Sequence, residues 1–158
     1  MVEESAARWL TETEMSVWRR HLEVGKLVTY QMEKGLRPFG LTMHDYEVLV
    51  LLSESEGARM RMSEVAAATG QSKSRLSHQI TRLEKAHLVR RENSASDRRG
   101  LFAVLTERGR ETLSQVTPHH VASLREHFVD LLPPDGWADL ERTLGPVVRH
   151  ARADKRHR

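Results

Sequence analysis

Between Gln71 and Gly100 the sequence concentrates side chains that bind polyanions. Lys73, Arg75, Arg82, Lys85, Arg90, Arg91, Arg98 and Arg99 stand against Glu84, Glu92 and Asp97, a net charge of +5. The 158-residue chain carries only +3 overall. Residues 1–70 sum to −3, residues 101–151 to −2, and the last seven residues, RADKRHR, to +3. One basic window on an acidic body is the footprint of a nucleic-acid binder, whereas a charge run alone is more often a solvated face. Interleaved with these cations are Ser72, Ser74, Ser77, His78 and Thr81, short donors and acceptors of the kind that meet base edges.

The elements around the window decide between those readings. Ser63 to Thr69 predicts a short helix ended by Gly70, and a tight turn leads to a longer helix near 72–86. Leu76, Ile80 and Leu83 recur at i, i+4 and i+7, so that side is buried. Ser74, His78, Thr81 and Lys85 then point away from the body, flanked by Arg75, Ser77 and Arg82. Short helix, turn and two-faced helix make a helix-turn-helix. Such a second helix fits the major groove, and its N-terminal side chains reach the bases. Ser72 and Lys73 open this helix. Ser74, Arg75, Ser77 and His78 are assigned to bases, and Lys73, Arg82 and Lys85 to phosphates.

Residues 88–92 and 101–105 read as strands joined by a polar loop, a hairpin. Its loop holds Asp97, Arg98 and Arg99. Adjacent arginines at a loop tip suit a narrow minor groove, with Asp97 orienting one of them.

Upstream, Thr11 and Glu14 form a capping box that opens a helix running to about Lys34, with Gly35 as its stop. Thr42 and Asp45 open the next helix, which ends before Gly57, and Met60–Met62 is strand-like. Downstream, Thr106 opens a long helix that Pro118 should bend or break. A last helix follows Pro133-Pro134-Asp135-Gly136 and is expected to be interrupted at Gly145-Pro146.

The run RMSEVAAATGQSKSRLSHQITRLEKAHLVRRENSASDRRGLFAVLTERG resembles the winged helix-turn-helix of the MarR family of bacterial transcription regulators. The matching positions are Ser74, Leu76, Ile80, Arg82, Leu83, Glu84, Lys85, Leu88, Val89 and Arg91, then Asp97-Arg98-Arg99, Val104-Leu105-Thr106 and Gly109. His87 departs from the pattern, standing where the family usually has glycine. The resemblance implies a mainly α fold with a small β-hairpin wing and long N- and C-terminal dimerisation helices. It divides the chain into an N-terminal helical part of the dimerisation region (1–40), a winged helix-turn-helix (41–106), C-terminal dimerisation helices (107–151) and a basic tail (152–158). It also implies that Arg98 enters the minor groove, that Arg99 supports it or meets the backbone, and that Asp97 fixes the wing. Trp18, Leu22, Leu124, Phe128, Leu131, Trp137 and Leu144 exceed what one winged helix can cover, which favours a homodimer. Many relatives bind a small aromatic or phenolic effector, and the lining residues expected here are Trp18, His21, Tyr30, Phe39 and Tyr46.

Composition narrows the function further. No cysteine is present, which excludes disulfides and thiol-based sensing. The longest apolar run, Val48 to Leu52, is too short to span a bilayer, and the N-terminus does not read as a signal peptide, so a cytoplasmic protein without membrane contact is expected. No phosphate loop, nucleophile elbow or His-Glu-x-x-His appears, so neither an enzyme nor a cofactor is expected. His44, His119, His120 and His127 form a minor metal-binding option. A sequence-specific regulator, by family default a repressor, competes with a nonspecific architectural protein that would share the basic window.

Overall fold

The computed structural model describes residues 8–93 and 100–156. Helix α1 spans Glu12–Leu36 and is capped as expected: Thr11 Oγ1 accepts from the Glu14 amide at 3.2 Å, and Glu14 accepts from the Thr11 amide at 2.8 Å. Gly35 does not stop it. The chain continues through a 3-10 turn at Arg37–Phe39 and reverses at Gly40, whose φ of 69° is left-handed. Helix α2, Met43–Ser53, opens on a second capping box between Thr42 and Asp45.

Strand β1 (Arg59–Arg61) leads directly into α3 (Met62–Thr69), then α4 (Lys73–Lys85). Strands β2 (Val89–Asn93) and β3 (Leu101–Leu105) form the hairpin. β1 adds a third strand, so the antiparallel order is β1-β3-β2, with Met60 opposite Ala103 and Arg91 opposite the same residue on the other edge. The strand lies one residue earlier than expected because Met62 already belongs to α3. The core beneath holds Leu49, Leu52, Val65, Leu76, Ile80, Leu83, Val89 and Val116. The buried stripe of α4 is thus the side that anchors it.

Helix α5, Glu107–His127, is continuous through Pro118, and α6, Gly136–Arg156, is continuous through Gly145-Pro146. Both expected interruptions are absent. Each proline deprives a carbonyl four residues earlier of its amide partner; Ser114 and Arg142, like the prolines, are exposed. The helix also takes in residues 152–156, assigned above to a basic tail.

α1 and α6 leave much apolar surface uncovered. Val17, Trp18, Leu22, Val24 and Leu27 on α1 are exposed, as are Leu144, Val147 and Val148 on α6. In α1 only Met32 and Leu36 are buried. None of the described helices is long and apolar enough to cross a membrane.

Two backbone positions join the helix-turn-helix to α5. His87 has a φ of 61°, the left-handed turn at the end of α4 for which glycine is the usual residue. Thr106 Oγ1 donates to the His87 carbonyl at 2.7 Å and accepts from the Gly109 amide at 2.9 Å. A Cβ on Gly109 would lie 2.1 Å from the Leu88 carbonyl oxygen and 2.7 Å from Leu105 Cδ1. Gly109→Ala should therefore destabilise the fold by about 3 kcal/mol. His87→Gly should stabilise it by about 0.5–1 kcal/mol, left-handed strain relieved less the entropy of glycine. Chemical denaturation of both variants checks the pair, and opposite signs to these would refute the backbone assignment.

Candidate nucleic-acid interface

The outer face of α4 is built by what its inner face buries. With Leu76, Ile80 and Leu83 inward, Lys73, Ser74, Arg75, Ser77 and His78 are all exposed on the first two turns. Ser72 caps the helix by accepting from the Arg75 amide at 3.3 Å. No acidic residue lies in the first turn, so the positive end of the helix dipole is uncompensated and adjoins Lys73 and Arg75. A cleft of about 300 Å³ separates this end from the loop end of the hairpin, lined by Arg61, Ser63, Lys73, Leu76, Gly100 and Leu101.

Arg82, expected on phosphate, is turned elsewhere. Its Nη2 donates to Asp45 Oδ1 at 2.5 Å. Asp45 is 1% exposed. The same oxygen accepts from Gln79 Nε2 at 3.2 Å, and Gln79 Oε1 accepts from Gln71 Nε2 at 2.9 Å. The other oxygen accepts from the Thr42 amide at 2.9 Å and hydroxyl at 2.7 Å. One carboxylate thereby joins the start of α2, the middle of α4 and the turn between α3 and α4.

A second brace runs from the hairpin. The Arg91 guanidinium pairs with Glu84, and its Nη2 donates to the Ser77 carbonyl at 2.8 Å and Thr81 Oγ1 at 3.1 Å. Glu84 also accepts from the Arg91 amide at 2.9 Å. Strand β2 is thus stapled to α4, and the hairpin leaves the body at a set angle. On the sheet, the Arg59 and Arg61 guanidinium groups lie 5.1 and 5.2 Å from the Phe102 ring centre. Asp97, Arg98 and Arg99, the expected wing contacts, lie outside the described residues.

The five aromatic and His positions expected to line one effector crevice separate. Trp18 stacks on His21 with ring centres 5.8 Å apart, on the exposed part of α1. Tyr30 is also exposed, bordering a shallow hollow with His21. Phe39 and Tyr46 instead meet α5: Phe39 lies 5.4 Å from His119, and Tyr46 lies 4.3 Å from His120. The Tyr46 hydroxyl donates to Thr117 Oγ1 at 3.4 Å. His120 Nδ1 is buried and has no hydrogen-bond partner among the described residues. His44 faces Glu47 on the surface of α2, away from this pair. Among the described residues no three His, Asp or Glu side chains are placed to hold a metal ion.

The fold and this interface match a known family. The MarR family model matches residues 39–100. The crystal structure of AbsC, a MarR family transcriptional regulator from Streptomyces coelicolor, is 66% identical, with a TM-score of 0.89, over 92% of this chain and 99% of that one. This chain belongs to the MarR family. A second MarR structure, Sco3205 from the same organism, was determined in complex with DNA; it is 39% identical, with a TM-score of 0.83, over 93% of this chain and 90% of that one. The transcriptional repressor MprA of Escherichia coli (strain K12) is 33% identical over 85 residues, 54% of this chain and 48% of MprA. The chain therefore spans about half the length of that curated relative.

Within this MarR chain, three residues essential to the geometry escaped the sequence reading: the tertiary role of Asp45, Gln79 and Arg91. Gln79 carried a signal, a polar residue in the buried stripe of α4. Arg91 carried its charge and its place among the positions matching the family, neither of which points to Glu84 and Ser77 as its partners.

Burial lowers the His120 pKa from its ordinary 6.5, since the charged ring would lose water. The fold favours the neutral ring, so this contribution is complete above about pH 6.5 and is lost as pH falls through the lower folded value. His120→Phe keeps a ring against Tyr46 without the proton. Between about pH 7 and 5 the melting temperature of the native protein should fall more steeply than that of this variant. Parallel curves would show that the burial has no thermodynamic weight.

Proposed function

We propose that this chain is a sequence-specific DNA-binding transcriptional regulator, a repressor, acting as a homodimer on a pseudo-palindromic operator. The observation that carries the reading is the α4 face. Lys73, Ser74, Arg75, Ser77 and His78 stand exposed on a helix held to the body by Arg82 on Asp45 and braced by Arg91 at Ser77 and Thr81. Rigid presentation of short polar side chains is what base readout requires, whereas loose phosphate binding needs only charge. The reported DNA complex of Sco3205 and the repressor name of MprA support it from outside.

In this reading Ser74, Arg75, Ser77 and His78 face base edges, with Ser72 and Lys73 at the helix start and Lys73 and Lys85 on phosphates. Arg98 enters the minor groove, Arg99 supports it, and Asp97 orients the pair. Residues 41–106 form the DNA-binding unit, and residues 1–40 and 107–151 pair with those of a second copy, covering the apolar faces of α1 and α6. Two α4 helices then meet half-sites ~34–36 Å apart. A small aromatic or phenolic acid releases the complex. The feature that supports such an effector is the Tyr46–His120 pair at the contact of α2 with α5, where His120 Nδ1 has no hydrogen-bond partner among the described residues. The protein works in the cytoplasm without a cofactor.

Selection of duplexes from a random pool tests the whole reading. A two-fold motif is expected, bound at least about a thousandfold more tightly than scrambled DNA. Comparable affinity for both would favour an architectural protein. Arg98→Ala should weaken every operator alike, and Ser74→Ala or His78→Ala should change base preference at defined positions. An unaltered affinity for Arg98→Ala at physiological salt would refute the wing assignment.

A further inference from the structure

We propose that Asp45 is a positioning residue for the recognition helix, and that Arg82 serves DNA binding through Asp45, without touching phosphate. The proposal rests on the DNA-binding reading and adds to it which groups fix the rotation of α4.

The chain contains its own comparison. Thr11–Glu14 and Thr42–Asp45 are the same capping device on α1 and α2. The first works in solvent, where Glu14 closes the cap with one oxygen. Capping therefore needs neither burial nor a second oxygen. Asp45 is nonetheless almost wholly buried, and its other oxygen is spent entirely on α4, receiving Gln79 and Arg82. Burying a carboxylate is costly unless its lone pairs are met, so the arrangement persists only where all these donors are held together. It serves a purpose that capping does not explain.

That purpose follows from the geometry of α4. Leu76, Ile80 and Leu83 attract the helix to the core, but apolar contact is weakly directional. Hydrogen bonds are directional. Gln79 and Arg82 are three residues apart, so they lie one turn along the same side and fork onto a single oxygen. Gln71 holds Gln79 from the turn. A helix with side chains about 5–6 Å from its axis displaces their tips by roughly 2 Å for a 20° rotation. Such a shift is enough to break base contacts at Ser74 and His78, while long lysines still reach phosphate. Loss of the Asp45 fork should therefore erode sequence discrimination before general DNA affinity.

The test measures binding of full-length native protein, Arg82→Gln, Asp45→Asn and the double variant. The probes are the duplex selected by the native protein and a scrambled duplex of equal composition, across a salt series. For Arg82→Gln the specific-to-scrambled ratio should fall about tenfold or more, with the slope of log K against log salt unchanged. Asp45→Asn should lose the ratio similarly, and the double variant should be no worse than the weaker single one, because both break one contact. A merely structural loss lowers the folded fraction and scales both duplexes alike, leaving the ratio where it was. Arg82 is half exposed, so its variant stands even where Asp45→Asn fails to fold. An unchanged ratio, a slope reduced by about 0.9, or losses that multiply in the double variant would each overturn the proposal. If the native protein selects no duplex, the DNA-binding reading fails and takes the proposal with it. That outcome is distinct from one in which native and Arg82→Gln proteins discriminate equally.

Discussion

A carboxylate survives in a protein interior only when donors meet its oxygens, and Asp45 meets that condition by drawing on two helices at once. Thr42 supplies the start of α2, Gln79 and Arg82 supply α4, and Gln71 extends the network to the turn before it. Remove that group and the helix-turn-helix retains its apolar core but loses the directional bonds between its helices. The next residue, Tyr46, faces the other way and lies against His120 of α5. Two adjacent positions on α2 therefore touch the DNA-facing helix and the long C-terminal helix. Helix α2 is the joint between the two halves of the chain.

The second brace acts at a different level. Arg91 carries charge from the basic window, yet it is consumed inside the protein by Glu84, Ser77 and Thr81. Arg82 is consumed likewise. The cations left for a polyanion on α4 are Lys73 and Arg75, at a helix start without acidic residues, and Lys85 at the far end. The acidic body disfavours DNA elsewhere, so modest net charge conceals a directed surface.

Much of this was legible in the sequence, and the reasons for the rest are physical. Both capping boxes, the α4 stripe and the hairpin follow from local patterns, because caps and amphipathic faces are local properties. The left-handed turn at His87 was signalled by the glycine that the family usually has at that position. Pro118 and Gly145-Pro146 misled because each proline sits at an exposed helix position, where the loss of one amide donor is least costly, and exposure is not written in local sequence. The partner of β1 and the donors to Asp45 depend on residues 34 to 45 positions away, beyond any periodicity. The expected aromatic positions are likewise distributed by tertiary structure: Trp18 and His21 stack on the exposed part of α1, whereas Tyr46, on α2, meets His120 of α5.

The central claim is that two copies of α4, held rigidly and joined through the uncovered faces of α1 and α6, read DNA together. Hydroxyl-radical footprinting on a selected duplex tests it most directly. Two protected patches on one face of the duplex, separated by one helical turn of about 10–10.5 base pairs, are predicted. Protection of a single half-site, or a continuous footprint indifferent to sequence, would contradict it.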